Sequence, residues 1–596
     1  GVTGHRPLSR PVTPKKEGQR MKLILRYLRR HLGVFLLSLL FLTMEAMADL
    51  LQPTFMSFIV DKGVTSADIS TILGYGAIML GIAAVGAVSA IMRNVFSSRT
   101  SQTIGRELRR DIYHNVQQLS LENIDRLQPA SIITRITNDV TQIQDFVMSL
   151  MRMMVKAPIT CVGAIILIIF QTPQQAPVII GIIGVVSVLI SGVIRIGYPR
   201  FGAVQRRLDR LNAVAREFLA SVRVVKAFNA EEQEAEKFDV ASHSLASANT
   251  AALRVMATFM PLINLTVNFG IVLLLWISRN QEPERIGRLM ASVNYMTQIL
   301  FAVTMIFNVI NNAVRAIASA QRIEEVLNEK PAQAKPVRPL TPEITGAICF
   351  ENVSFAYAGA GKEALRDINI QIRAGETIGI IGPTGSGKTT LVNLIPRFYD
   401  VTEGRLLIDG CDVRDIDEKL LRTAVAVVTQ KPLLFTGSIR ENLRWGSDTA
   451  DEMALREAAR IACADAFIEK AGSEGAYGYE AMLGQGGVNL SGGQKQRLSL
   501  ARALVRKPKV LILDDCTSAL DAETEAKVLN GLHHLPYKPT VLLISQRIST
   551  VMRADRILCM ADGTVQGYGS HEELMASCET YRAIYASQIG GEACGS

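Results

Sequence analysis

Ile378-Gly379-Ile380-Ile381-Gly382-Pro383-Thr384-Gly385-Ser386-Gly387-Lys388-Thr389-Thr390-Leu391-Val392-Asn393-Leu394 decides the reading of this chain. A short apolar strand runs straight into a glycine-rich loop, and the loop into a helical pattern. That succession is the phosphate-binding loop. The glycines let backbone N–H groups turn inward around phosphate oxygens. Lys388 supplies a point charge for β- and γ-phosphates, Thr389 offers its hydroxyl to Mg²⁺, and the helix N-terminus adds its dipole. Gly382, Pro383, Thr384, Gly385, Ser386, Gly387, Lys388, Thr389 and Thr390 are therefore the expected ATP-binding residues, with ATP and Mg²⁺ as ligands.

Further along, Val510-Leu511-Ile512-Leu513-Asp514 reads as a buried strand ending in a carboxylate, about 125 residues after the loop. Asp514 would hold Mg²⁺ through its water shell. A hydrophobic run ending in Asp means little alone; behind a phosphate loop it completes a nucleotide site. β-rich and helical segments alternate around both motifs, as in a phosphate-loop α/β domain. That domain is expected over residues 346–588, with a tail at 589–596. Ahead of it, Pro331, Pro336, Pro339 and Pro342 block regular structure and mark residues 328–345 as a linker.

The first half has another composition. Over 596 residues the mean hydropathy is +0.21 and only 20% of residues are charged; the length suggests several domains. Six apolar stretches, near 32–54, 72–96, 146–170, 177–197, 256–278 and 287–312, are each long enough to cross a bilayer. The net charge of +9 raises the question of nucleic acid, but Arg and Lys crowd 93–156, 195–254 and the N-terminal arm, while 61–71 and 171–177 hold one Lys between them. That is the positive-inside pattern of membrane helices, so the partner is a lipid membrane and not nucleic acid. The two long Arg-rich segments, between spans two and three and between spans four and five, are helical in pattern. They fall on the cytoplasmic side together with both chain termini.

Residues 1–20 read as a polar arm without a signal peptide, and 21–327 as the transmembrane domain. Met21–Arg30 is amphipathic, with Lys22, Arg26, Arg29 and Arg30 on one face. It suits either the membrane interface or a cytosolic start of the first span. The eight cysteines form no CxxC pair and seven lie in the soluble half; they read as reduced cytosolic thiols, neither a disulfide framework nor a zinc site.

Several further motifs carry a resemblance. Leu490-Ser491-Gly492-Gly493-Gln494 matches a signature sequence, Gln430 falls at a Q-loop, and Ser518-Ala519-Leu520-Asp521 falls at a D-loop. Tyr357 stands where an aromatic stacks on adenine. Val224-Val225-Lys226-Ala227-Phe228 and Asn138-Asp139-Val140 look like cytoplasmic-loop segments. Over roughly residues 21–588 the chain resembles a half-transporter of the ATP-binding cassette (ABC) exporters. The resemblance implies a membrane all-α domain of six helices fused to a phosphate-loop α/β nucleotide-binding domain. It implies two cassettes working head to tail, so that Ser491, Gly492 and Gly493, with Gln494 and Asp521, serve ATP held on the partner's phosphate loop. Gln430 would link Mg²⁺ and the γ-phosphate to the cytoplasmic loops, whose coupling helices are expected near 115–123 and 212–220.

Two positions depart from the family pattern. Where a Glu polarises the attacking water there is Asp515, one methylene shorter. A misplacement of about 1 Å can cost roughly a hundredfold in rate, and a general base must first be within reach. Where a switch His precedes Arg547-Ile548-Ser549-Thr550 there is Gln546, whose amide can hydrogen-bond a γ-phosphate but cannot become imidazolium. Gln485, ahead of the signature, also replaces a usual Glu. Asp515, Gln546 and Gln430 are thus the candidate catalytic set in a site equipped to hold ATP and poorly equipped to cleave it. This pairing resembles the degenerate half of heterodimeric bacterial multidrug exporters, so a second, consensus half-transporter is the expected partner. A homodimer with slow hydrolysis and a non-transporting ATP-sensing membrane subunit are the rival readings.

In the membrane half, Glu45, Asp49, Asn264, Asn268, Asn294, Gln298, Asn308, Asn311 and Asn312 are polar groups within spans. They line a substrate path or bond between helices. Met290, Met296, Met305, Phe301 and Phe307 read as an adaptable substrate surface or as packing. Arg152, Lys156 and Arg195 are expected near the cytoplasmic boundary. The expected activity is ATP-driven efflux of a small hydrophobic or amphipathic substrate across the cell membrane.

Overall fold

A computed structural model describes residues 14–174, 176–277, 286–473 and 475–589. The first part of the polar arm and most of the C-terminal tail lie outside these residues. The chain divides into two compact units, 1–115 with 130–328, and 116–129 with 329–596.

The first unit is built from very long helices. Leu32–Phe58 continues through a π-helical turn at Ile59–Val64, and Ile69–Gln118 follows after a short connection. Pro129–Gln171 runs as helix with π-helical insertions at Arg135–Asp139 and Leu150–Met154, and Ala176–Ala227, Glu231–Ile277 and Ile286–Asn328 complete the set. Among the described residues, five of these six are long and apolar enough to cross a membrane. Ile286–Asn328, the sixth, includes residues whose side chains are not described. Each predicted span falls within a longer helix, save that the fifth reaches residue 278, one past the helix end at Ile277 and outside the described residues. Ile69–Gln118 has 50 residues, about 75 Å of helix against a hydrocarbon core of about 30 Å, so much of it projects beyond the bilayer. The Arg-rich segments are those projections.

Charges in this unit pair across helices. Glu45 is buried and accepts from Arg93 Nε at 2.5 Å and from Lys156 Nζ at 2.7 Å. Lys156 also reaches Asp49 at 2.8 Å. Asp139 is buried against Arg322 and Ser319. Asn312 donates to Ser149 Oγ and Gln298 to the Asp49 carbonyl, each at 3.1 Å. Asn268 and Asn294 instead donate to carbonyls one turn back in their own helices. Asn308, Asn311 and Phe307 lie outside the residues whose side chains are described.

A coupling helix is expected near 115–123; the structure has a short helix slightly later. Ile69–Gln118 ends first, and Leu121–Leu127 is the separate short helix, with Ser120 at its N-cap position. Residues 212–220 do not form a separate element. They lie within the unbroken helix Ala176–Ala227, where no Gly or Pro follows Gly202 to stop it; the chain turns only at residues 228–230, with Asn229 in the left-handed region.

The second unit carries a six-stranded sheet in the order Thr564–Gly569, Arg556–Ala561, Thr377–Ile381, Thr540–Ile544, Val510–Asp514, Val425–Val428. Its five inner and far-edge strands are parallel and only Thr564–Gly569 is antiparallel. Every residue of Val510–Asp514 and Thr540–Ile544 is buried, the mark of a parallel sheet covered on both faces. A four-stranded antiparallel sheet, Leu365–Ile372, Ile348–Phe355, Glu403–Ile408 and Cys411–Asp412, lies beside it. One apolar core, with Phe350, Leu391, Ile395 and Ile512, ties the two sheets together. A second, with Leu443, Leu455, Leu498 and Leu513, holds a helical region that includes Gly492–Val505.

Candidate functional site

Ligands in a parallel sheet gather beyond the carboxyl ends of its strands, and three strand ends converge here. Thr377–Ile381 leads into residues 382–387 and the helix Lys388–Leu394. Gly387 caps that helix with φ +93°, where a Cβ would lie 2.9 Å from the Ala364 carbonyl. At Gly382 a Cβ would come within 2.1 Å of the Met560 carbonyl. Both positions require glycine. Lys388 Nζ donates to the carbonyls of Gly382 and Pro383 at 2.8 Å each, and to Ser386 Oγ at 3.3 Å. Burial pushes the Lys388 ammonium below its usual range; Asp514 and Asp515 restore this only in part.

Val510–Asp514 delivers two adjacent carboxylates, each only 7% exposed. Asp514 Oδ1 accepts from Thr389 Oγ1 at 3.1 Å. Burial raises the Asp514 carboxyl above its usual range, the Asp515 charge adds to that, and Thr389 and Lys388 oppose it. Asp515 departs from the strand with φ +48°, a left-handed conformation that short polar residues such as Asp adopt as single residues. Asp515 Oδ2 accepts from Gln430 Nε2 at 3.1 Å and from Gln546 Nε2 at 3.2 Å. All three candidate catalytic residues therefore meet at one oxygen atom.

The switch segment is held from behind. Gln588, in the helix Glu579–Gln588, donates to the Gln546 carbonyl at 2.7 Å and accepts from the Ile548 N–H at 2.8 Å. Buried Glu525 accepts from Arg547 at 3.1 Å and from Thr550 at 3.0 Å. Neither residue stands out in the sequence: no motif marks them, and only the fold brings them to the switch.

Ser491 caps Gly492–Val505 through a capping box with Gln494. A Cβ on Gly493 would lie 2.9 Å from the Ala519 carbonyl, and Gln496 Oε1 accepts from the Ala519 N–H at 3.2 Å. The signature thus packs on the D-loop. Asp521 caps the next helix by accepting from the Thr524 N–H at 2.9 Å. Among the described residues no hydrogen bond joins 491–494 to the phosphate loop of the same chain. Tyr357 OH lies 3.1 Å from Thr390 Oγ1, and its ring meets Tyr399 edge-on at 5.3 Å. Tyr399 donates to Asp125 of the helix Leu121–Leu127 at 2.7 Å, a contact with no forerunner in the sequence reading.

The family descriptions "ABC transporter transmembrane region" and "ABC transporter" match residues 35–314 and 365–518. The chain belongs to the ABC transporter family. The ABC transporter ATP-binding protein YfiB of Bacillus subtilis, itself uncharacterized, is 36% identical over 93% of this chain and 96% of its own. The ATP-dependent lipid A-core flippase of Desulfotalea psychrophila is 32% identical over 83% of this chain and 86% of its own. A solved bacterial Atm1-family ABC exporter with ATP bound superposes with a TM-score of 0.74 at 25% identity, covering 94% of this chain and 98% of that one. This ABC transporter has the exporter fold, a helical membrane domain fused to an ATP-binding domain, and its activity is that of a transport ATPase.

Proposed function

We propose that this chain is one half of a heterodimeric ABC exporter for a hydrophobic or amphipathic substrate, and that its own ATP site binds tightly and hydrolyses slowly. The observation that carries this reading is the Asp515 carboxylate. It is a methylene short, and one oxygen is already shared between the Gln430 and Gln546 amides. A base for water must have a free, well-placed oxygen.

The residues fit ATP and Mg²⁺. Gly382, Gly385 and Gly387 have the backbone freedom for a phosphate cradle, and half-buried Lys388 and buried Asp514 both have their charged forms disfavoured by burial. Lys388 and the N–H groups of 383–390 would hold phosphates, Thr389, Asp514 and Gln430 would hold the metal, and Tyr357 would stack on the base. When bound, ATP with Mg²⁺ supplies the phosphoanhydride bond that drives transport. Ser491, Gly492, Gly493 and Gln494 would complete the partner's site, with Asp521 at its edge. The nucleotide-binding domain and both termini would face the cytoplasm of a plasma membrane.

Affinity purification of the tagged chain from its own host, with mass spectrometry, tests the pairing. Recovery of a second half-transporter with Glu after its strand-end Asp and His at its switch supports the heterodimer. Recovery of this chain alone, as a dimer with ATPase activity, overturns it.

A further inference from the structure

Three helices of the first unit, Leu32–Phe58, Lys156–Gln171 and Ile286–Asn328, leave a cavity of 240 Å³ lined by Asp49, Lys156, Thr160, Gln298, Phe301 and Met305 among others. Its polar wall is incomplete. Thr160 Oγ1 and Gln298 Oε1 are buried and have no hydrogen-bond partner among the described residues, and the Thr160 residue is 7% exposed. Unpaired polar atoms at membrane depth are costly and mark functional sites.

The charges are arranged unequally. Glu45 is held by both Arg93 and Lys156. Asp49 has Lys156 as its ion-pair partner at 2.8 Å, and its side chain is 41% exposed against 10% for Glu45. The Asp49–Lys156 pair is therefore the one that can open, because Lys156 keeps Glu45 when Asp49 is given another cation. Glu45 and Asp49 balance Arg93 and Lys156, so a ligand bearing charge of one sign would leave this cluster with a net charge at membrane depth, which is costly. A ligand with an ammonium and an anion close together would satisfy both members of the opened pair. The same ammonium can donate to the orphaned Gln298 Oε1, and the Thr160 hydroxyl can donate to the anion. Phe301 and Met305 offer an apolar surface beside this polar wall.

We propose that this cavity is a binding subsite for the head of a zwitterionic amphiphile of the aminoalkyl-phosphate or amino-acid type, with its ammonium on Asp49 and Gln298 and its anion on Lys156 and Thr160. This deepens the exporter reading and rests on it for the ligand's being transported, not for its being bound.

The test is equilibrium binding of radiolabelled dodecylphosphoethanolamine to the purified transporter, with whatever partner copurifies, in phosphatidylcholine nanodiscs without nucleotide. Saturable binding is expected. Asp49→Asn should weaken it at least tenfold, and Thr160→Val or Gln298→Leu several-fold, while Thr160→Ser retains it. Dodecylamine, dodecyl phosphate and dodecylphosphocholine, which lacks N–H donors, should compete at least tenfold less well. Unchanged binding in the three variants, equal competition by the singly charged probes, or no saturable binding overturns the subsite. Native mass spectrometry of protein taken directly from host membranes separates two sources of the same chemistry. A phosphoethanolamine lipid retained by wild type and lost in Asp49→Asn supports a bilayer lipid. Probe binding without a retained lipid supports a free amphiphile. A transport assay in proteoliposomes is read separately: binding without transport counts against export, and transport with binding unchanged by the variants counts against the subsite.

Discussion

Gln546 Nε2 donates to Asp515 Oδ2 at 3.2 Å, so the two departures from the family pattern that bear on hydrolysis are hydrogen-bonded to each other. A carboxylate of this length and an amide at the switch form a matched pair. The amide holds the acid in place, and Gln430 shares the same oxygen at 3.1 Å.

Asp515→Glu should therefore raise turnover at this chain's own site by about ten- to a hundredfold, since restoring reach of about 1 Å is worth that order in rate. Adding Gln546→His should raise it further by taking one of the two amide donors off the carboxylate. Phosphate release is measured in a complex whose other ATP site has been silenced. A flat response to both changes would mean that the short acid is not what limits hydrolysis.

Gln588→Ala removes both bonds that fix the switch backbone. Each is worth about 0.5–1.5 kcal/mol, so the thermal midpoint should move only modestly while turnover falls several-fold and ATP affinity stays within about twofold. Gln588→Glu keeps an acceptor for the Ile548 N–H but sets a carboxylate against the Gln546 carbonyl. Its deficit should be full at pH 8 and shrink toward pH 5, as an acid with an ordinary value of about 4.3 begins to regain its proton. A pH-independent deficit in Gln588→Glu would show that the amide acts through packing alone.

Gly493→Ala places a Cβ 2.9 Å from the Ala519 carbonyl, a backbone atom that cannot swing away. The D-loop must shift, and ATPase at the composite site that this signature completes should drop about tenfold or more. Photolabelling of this chain's own phosphate loop by azido-ATP should stay near wild type. Loss of labelling at both sites would point to general misfolding instead.

Asp409→Asn carries a pH signature. Burial pushes this carboxyl up, but the Thr345 hydroxyl and the N–H groups of Thr345, Gly346 and Ala347 outweigh it and hold the group below its usual range. A depressed carboxyl stabilises the fold fully above its unfolded value of about 3.9 and loses that contribution as pH falls through the lower folded value. The substitution should cost about 1–3 kcal/mol at neutral pH, constant from pH 8 to 5, and fade only below about 4. Thermal midpoints of wild type and variant across that range would contradict this if the difference were already gone at pH 6.

The nucleotide site was legible in the sequence because it is local. Gly382 to Thr390 specify a strand, a loop and a helix by themselves, and Val510–Asp514 announces its burial by being apolar throughout. What the sequence did not reveal depends on distant contacts. Gln588 meets Gln546 across 42 positions, and Tyr399 meets Asp125 across 274, with no periodicity to signal either. Span ends were soft for a related reason. Hydropathy reports where lipid ends, whereas Ile69–Gln118 and Ala176–Ala227 keep their helical hydrogen bonds well past that point. The same continuity hides residues 212–220, whose Ala, Arg and Leu content favours extending a helix over breaking it.

Leu121–Leu127 clusters with the ATP-binding unit rather than with the helices it joins. Its partners are Tyr399 and, through Asn123 and Arg126, Glu329. During translation this segment leaves the ribosome long before Glu329, 206 positions later than Asn123, and longer still before Tyr399. It must wait, undocked, while four further helices are inserted. The ATP-binding unit is thus assembled from two separate lengths of chain, and a fragment cut at the linker would lack the helix that Tyr399 holds.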